Sequence, residues 1–258
     1  MTRGGPDAAD RSPIPPRPRR PTLAKRRRIY VTGQNRLLAT LPKDDFDRML
    51  PHLEKVSLPL KDILYEANGS IEHVFFPIDG VVSLVIMDSG YIHEVGIIGN
   101  EGLVGTPVFL GSDRSPTRAI AQIPGAALRM KSEVFQKELR RRGPLHGLVQ
   151  RYTQAMINQI SQSIVCNHRH SVEKRMCRWL LMSHDRVGAD GFPLTHEFLA
   201  QMLGVRRPTV TAVAGTLQKA GLITYHRVEI TVLERKGLEA AACECYEVVA
   251  KELDRLLG

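Results

Sequence analysis

Along the chain the spacing of apolar positions changes twice, and each change predicts a different kind of element. From Gln34 the stretch "QNRLLATLPKDDFDRMLPHLEKVSL" carries Leu41, Phe46, Met49, Leu50 and Leu53 at helical intervals, which predicts a short helical lead-in. Between Lys61 and Met130 the pattern becomes that of strands. Short runs rich in β-branched residues ("HVFFPI", "VVSLVIM", "HEVGII", "AIAQI") are separated by "DG", "SG", "GN" and "PG" turns. Short strands at near-regular spacing predict an antiparallel barrel or roll. No internal repeat is visible.

Helical spacing returns near Pro144, a residue accepted in the first turn of a helix. Leu148, Tyr152, Met156, Ile160 and Ile164 then form one slowly drifting stripe, about six turns long. Such a stripe can be covered by the roll of its own chain or by the same helix of a second chain. The expectation is a dimer interface on Leu148, Tyr152, Met156 and Ile160. The next block, "VEKRMCRWLLMSHDRVG", turns Met176, Trp179, Leu180 and Met182 inward and stops at Gly188, a residue suited to a helix C-cap.

The stretch "LTHEFLAQMLGVRRPTVTAVAGTLQKAGLI" holds two short helical patterns around a glycine. Thr195 can cap the first helix, with Glu197 in its first turn and Phe198, Leu199, Met202 and Leu203 on its apolar face. Gly204 supplies the tight turn, and Pro208 opens a second helix whose apolar face is Val210, Val213 and Leu217. Arg206, Arg207, Thr209, Thr211 and Ala212 remain on the outer face. Arginine can pair with guanine O6 and N7, and threonine can bond a phosphate, so this second helix has the chemistry of a major-groove reader. In "AGLITYHRVEITVLE" two strands are predicted, Leu222–Thr224 and Val228–Leu233, around a tip of Tyr225, His226 and Arg227. That is a wing able to reach a neighbouring phosphate backbone. The DNA-binding set read from these residues is Thr195, Arg206, Arg207, Thr209, Thr211, His226 and Arg227.

The order of roll, long helix and winged helix resembles the Crp/Fnr transcription regulators over about Gln34 to Lys236. The resemblance implies an α+β fold: an N-terminal antiparallel β-roll like a cyclic-nucleotide-binding domain, a long dimerisation helix and a C-terminal winged helix-turn-helix. The corresponding divisions are 34–143, 144–170 and 171–236, with a tail over 1–33 and a helical extension over 237–258. It places Arg207 at the principal base-reading position and Thr209 at a phosphate contact. The glutamate that follows that arginine in the family is replaced by Pro208, and a second arginine by Ala212, which implies a different DNA sequence from the one read by the cyclic AMP receptor protein.

In the roll, "IGNEGLVGTPVFLGSDRSPTRAIAQIPGAALRM" resembles the family's phosphate-binding cassette. Gly105 is followed by Thr106 where nucleotide binders carry a glutamate, and Arg114-Ser115 stands about one residue out of register before Pro116. The effector pocket expected from the resemblance comprises Gly105, Thr106, Arg114, Ser115 and Arg118, and regulation by cyclic AMP is not expected; the effector is unknown. The implied partners are double-stranded DNA with a two-fold symmetric site, a second copy of the chain and, for an activator, RNA polymerase.

Composition narrows the alternatives. The net charge of +9 is concentrated: Met1 to Arg28 holds nine Lys/Arg against Asp7 and Asp10, leaving only +2 beyond it. "RSPIPPRPRRPTLAKRRR" has little to bury, so a disordered or polyproline-like arm is expected there, able to add sequence-independent attraction to phosphates. A nucleoid-type binder relying on that arm is the alternative function. No run reaches the roughly 18 apolar residues of a membrane helix and no signal sequence is visible, so the expected location is the cytoplasm.

The four cysteines, Cys166, Cys177, Cys243 and Cys245, do not make a disulfide framework and are expected to be reduced. The Fnr branch carries an iron–sulfur cluster on N-terminal cysteines, which this chain lacks. A zinc set of Cys166, His168, His170 and Cys177 is disfavoured because its alternate spacing sends groups to different helix faces. Cys243 and Cys245 read as small buried residues or as redox thiols. His73, His93 and Glu94 superficially invite a cupin-like metal site, but no His-x-His pair supports it. Neither metal nor cofactor is therefore expected, and with no nucleophile–base pair or phosphate-binding loop in sight, neither is an enzyme.

Overall fold

The computed structural model of the protein describes residues 35–258. The basic tail expected over residues 1–33 lies outside the described residues. The chain opens with α1 (Arg36–Thr40) and α2 (Lys43–Met49). Asn35 caps α1 by accepting the Leu37 and Leu38 amides, and its own amide donates to the Pro77 and Gly102 carbonyls at 2.9 and 2.7 Å. A single polar side chain thus ties the lead-in to the roll.

Seven strands follow: β1 (Glu54–Leu58), β2 (Ile63–Tyr65), β3 (His73–Pro77), β4 (Val81–Asp88), β5 (Tyr91–Ile98), β6 (Arg118–Ile123) and β7 (Gly125–Lys131), with the short helix α3 (Thr106–Phe109) between β5 and β6. They form two antiparallel sheets, ordered β1-β7-β3 and β2-β6-β4-β5. The β3–β4 turn needs Gly80: its φ is +77°, and a Cβ there would approach the Ile123 carbonyl oxygen to 2.6 Å. Alternation along β3 to β6 sends Val74, Phe76, Val82, Ala119 and Ala121 into one core. Phe135 of α4 (Ser132–Arg140) closes it, its ring edge-on to Phe76 at 6.1 Å.

The long helix α5 (Pro144–Arg169) lies against this core. Leu148, Tyr152 and Met156 are buried in the roll of their own chain, at 2%, 0% and 7% exposure. Tyr152 fits beneath Gly102, where any Cβ would collide with its hydroxyl. The expected dimer interface on Leu148, Tyr152, Met156 and Ile160 is thereby overturned for its first three members, while Ile160 sits at the edge of the core beside Gly96. Apolar periodicity identifies a buried face but not what covers it. The exposed apolar side chains of α5 are instead Ile157, Ile164 and Val165, at 53%, 57% and 44%.

Next comes α6 (Val172–Val187), capped by Ser171 and ended by Gly188 in the left-handed conformation. The remainder is β8 (Gly191–Pro193), α7 (His196–Leu203), α8 (Arg207–Lys219), β9 (Ile223–His226), β10 (Glu229–Val232), α9 (Arg235–Ala241) and α10 (Cys245–Leu257). The three strands form an antiparallel sheet ordered β8-β10-β9. A second core joins this unit to the roll: Val81, Val85, Ile97 and Ile123 pack with Trp179, Leu180, Leu199 and Met202. α10 runs back along α5, where Asn158 donates to Glu252 at 3.2 Å and Arg151 to the Leu256 carbonyl at 2.9 Å. Among the described residues no helix is long and apolar enough to cross a membrane.

Candidate nucleic-acid interface

The helix pair α7–α8 is built by local signals that agree. Thr195 accepts the Phe198 amide at 3.1 Å and fixes the start of α7. Gly204 ends it at φ +62°, a conformation a glycine adopts without strain. Pro208 occupies the first turn of α8, where the absence of an amide hydrogen is harmless. Leu199, Ala200, Val210, Ala214 and Leu217 are buried between the helices and the core. The first turns of α8 consequently project Arg206, Arg207, Thr209 and Thr211 to solvent.

Thr195 is half-buried and acts as a cap. Thr211 donates to the Arg207 carbonyl at 3.2 Å and pairs with His196 Nδ1 at 3.0 Å. His196, which no local sequence signal singles out, stacks at 4.2 Å on Tyr225. Burial, then the charge of Arg207, lowers its pKa from the ordinary histidine value, and the ring bridges Thr211 and Tyr225. The wing differs in detail from the sequence expectation. Tyr225 lies within β9, paired with Ile230, and its hydroxyl donates to the Leu194 carbonyl at 2.6 Å. The turn instead exposes His226, Arg227 and Val228, with Arg227 at φ +57°.

The expected effector residues are each exposed or engaged locally. Gly105 has φ +105° and starts α3, and the Thr106 hydroxyl turns back to the Leu103 carbonyl at 3.4 Å. Arg114 is exposed, Ser115 is buried with its hydroxyl 2.8 Å from that of Thr117, and Arg118 is held by Glu66 at 2.7 Å. Arg118 is thus paired with a carboxylate, and Ser115 is bonded within its own loop.

The roll meets the DNA-binding unit through polar side chains that are almost fully enclosed. Arg186 of α6 pairs with Glu101 at 2.7 Å, and these side chains are 7% and 3% exposed. The same guanidinium donates to Gln159 of α5 at 3.1 Å, and Gln159 donates to the Ile97 carbonyl at 2.9 Å. Nearby, the Glu94 carboxylate accepts from Ser83 at 2.7 Å and from Trp179 Nε1 at 3.0 Å. Burial outweighs these donors and pushes Glu94 up to about 7.

Among the described residues, the metal-ligand-type side chains gathered within 4.8 Å of one another are Cys166, His170, Cys243 and Cys245. His73, His93 and Glu94 form no such group. The grouping weighed from the sequence is corrected: Cys177 lies in the second core and His168 is exposed. Cys166 in the last turn of α5 and His170, its C-cap four residues on, are brought together at the helix end, and that spacing was the available signal.

A β-roll joined by a long helix to a winged helix with an exposed arginine-bearing turn defines a DNA-binding transcription regulator. Comparison with known proteins agrees. A cyclic nucleotide-binding domain model matches residues 55–142 and a Crp-like helix-turn-helix domain model residues 174–241, together more than half of the chain. The global nitrogen regulator of Synechococcus elongatus is 26% identical over 208 residues, covering 74% of this chain and 93% of that protein. The solved structure of FixK2 from Bradyrhizobium japonicum superposes with a TM-score of 0.63 at 15% identity, over 74% of this chain and 98% of that one. A transcriptional regulator of the CRP family from Thermus thermophilus gives 0.59 at 17% identity, over 72% and 96%. The chain belongs to the Crp/Fnr family: it is a helix-turn-helix transcription regulator and not an enzyme.

Proposed function

We propose that the protein works in the cytoplasm as a homodimer that sets two α8 helices on a two-fold symmetric double-stranded DNA site, and that it does so without cyclic AMP. The observation that carries this reading is the exposed first turn of α8, where Arg206 and Arg207 stand without an ion-pair partner among the described residues and Thr209 is exposed beside them. Arg207 reads a base, Thr209 and the wing residues His226 and Arg227 hold phosphates, and Thr195 and Thr211 fix the approach. The ridge of Ile157, Ile164 and Val165 supports pairing of α5 with its copy, since Ile157 and Ile164 are one heptad apart. RNA polymerase becomes a partner where the bound site activates a promoter.

The test is selection of preferred sites from random duplex DNA, followed by titration of the chosen site at fixed salt with and without millimolar cyclic AMP. A palindromic site bound equally in both conditions is the expected result. Uniform affinity for all duplexes would replace this reading with a nonspecific binder, and saturable tightening by cyclic AMP would restore the nucleotide to the roll.

A further inference from the structure

Cys166 lies near the end of α5, and His170 is the residue that caps it, immediately before the Ser171 cap of α6. Cys243 and Cys245 flank the junction of α9 and α10. Folding brings these four from two distant segments into one small cluster, in which Cys166, Cys243 and Cys245 are 0%, 4% and 0% exposed. The Cys166 and Cys243 sulfurs are 3.5 Å apart, as are the Cys245 sulfur and His170 Nδ1.

Two of the six ligand-atom separations are 3.5 Å and all lie within 4.8 Å, a cluster of the size that surrounds one metal ion. A tetrahedral zinc with bonds of about 2.3 Å to sulfur and 2.0–2.1 Å to nitrogen sets its ligand atoms about 3.5–3.8 Å apart. A disulfide needs its sulfurs at about 2.05 Å. An iron–sulfur cluster places several irons between its thiolates and needs a wider cage.

The surroundings are those of a ligand set. His170 directs Nδ1 at the sulfurs while Nε2 faces a Glu244 carboxylate oxygen at 3.3 Å, the arrangement in which an outer carboxylate fixes the tautomer of a metal-bound histidine. Gln162 donates an amide hydrogen to the Cys245 sulfur at 3.0 Å, which suits a thiolate.

We propose that Cys166, His170, Cys243 and Cys245 form a closed Cys3His site for zinc, a structural cation that clasps the end of α5 to the α9–α10 junction. The clasp sits at the junction of the long helix with α6. On binding, the three thiols lose their protons to solvent and coordinate as thiolates, while the neutral imidazole coordinates through Nδ1 and keeps its Nε2 proton toward Glu244. No coordination position is left open, so the site holds structure and performs no hydrolysis.

The test uses the full chain purified in reducing buffer, stripped with chelator and titrated with zinc or with cobalt as its spectroscopic substitute. One equivalent per chain is expected, with the visible bands of tetrahedral cobalt and thiolate-to-cobalt charge transfer. Cys243→Ser and Cys245→Ser lose stoichiometric uptake, Cys177→Ser and His168→Gln keep it, and Glu244→Gln weakens it by about 10–100-fold. A second readout on the wild-type chain does not depend on any variant folding: zinc shields Cys166, Cys243 and Cys245 from alkylation and leaves the rate at Cys177 unchanged. The assignment is overturned if the stripped wild type takes up neither metal, if Cys243→Ser and Cys245→Ser both retain full uptake, or if zinc shields none of the three thiols.

Discussion

Arg207 and Glu94 show how the same backbone puts side chains to opposite uses. Arg207 stands exposed in the first turn of α8, so removing it costs little in folding and much in recognition. Arg207→Ala is expected to lose about 1–3 kcal/mol of discrimination for the preferred site while weak general binding persists. Site selection on the variant checks this; an unchanged ranking of sites would assign base reading elsewhere. Glu94 is held between Ser83 and Trp179, and burial, opposed by its donors and by the charges of Arg178 and Arg186, raises its pKa to about 7. The folded state therefore takes up the Glu94 proton more readily than the unfolded chain does. Its contribution to stability is full below the ordinary carboxylate range and is lost as the pH rises through about 7. Denaturant unfolding between about pH 5 and 8, a range that brackets this titration, should show stability from this group falling with pH, and Glu94→Gln should flatten that slope.

At the scale of elements, α5 meets different neighbours along its length: the roll over Tyr152 and Met156, α6 at Gln159 and Ser163, α10 beside Asn158 and Gln162, and solvent over Ile157, Ile164 and Val165. Ile157→Asp combined with Ile164→Asp is expected to yield a folded monomer in ultracentrifugation, with a loss of DNA affinity because two half-sites about 34 Å apart are no longer linked. Met156→Asp should behave differently. It buries a charge in the roll core and lowers stability before it alters association, which thermal unfolding measures directly. A stable dimer of the double variant would move the interface off this ridge.

For the whole molecule, the roll and the DNA-binding unit meet at Glu101, Gln159 and Arg186. A buried ion pair broken on one side leaves a charge without a partner, so Arg186→Met should cost about 3–5 kcal/mol in unfolding experiments. Adding Glu101→Gln should recover part of that loss, because the orphaned carboxylate is removed with its partner. Additive losses from the two substitutions would mean that the pair is not coupled. The network also offers a route by which a change in the roll reaches α6 and the helices beyond it, since one guanidinium bonds groups from three segments.

Much of this was legible in the chain. Apolar alternation and "DG" and "PG" turns specify the roll, and the sequence from Thr195 through Gly204 to Pro208 specifies the helix pair, because caps, turns and binary patterns act over a few residues. What faces what was not legible. Tyr152 and Met156 repeat with a period that a dimer seam and a core helix share, and only the fold sets Gly102 above Tyr152 and turns Ile157 outward. Arg186 and Glu101 are 85 residues apart, and Cys166 and Cys243 are 77 apart; no local pattern encodes such a meeting. Short-range signals determined which elements form, while the contacts that couple the roll to the DNA-binding unit and gather three cysteines with a histidine depend on how those elements pack, which tertiary structure alone decided.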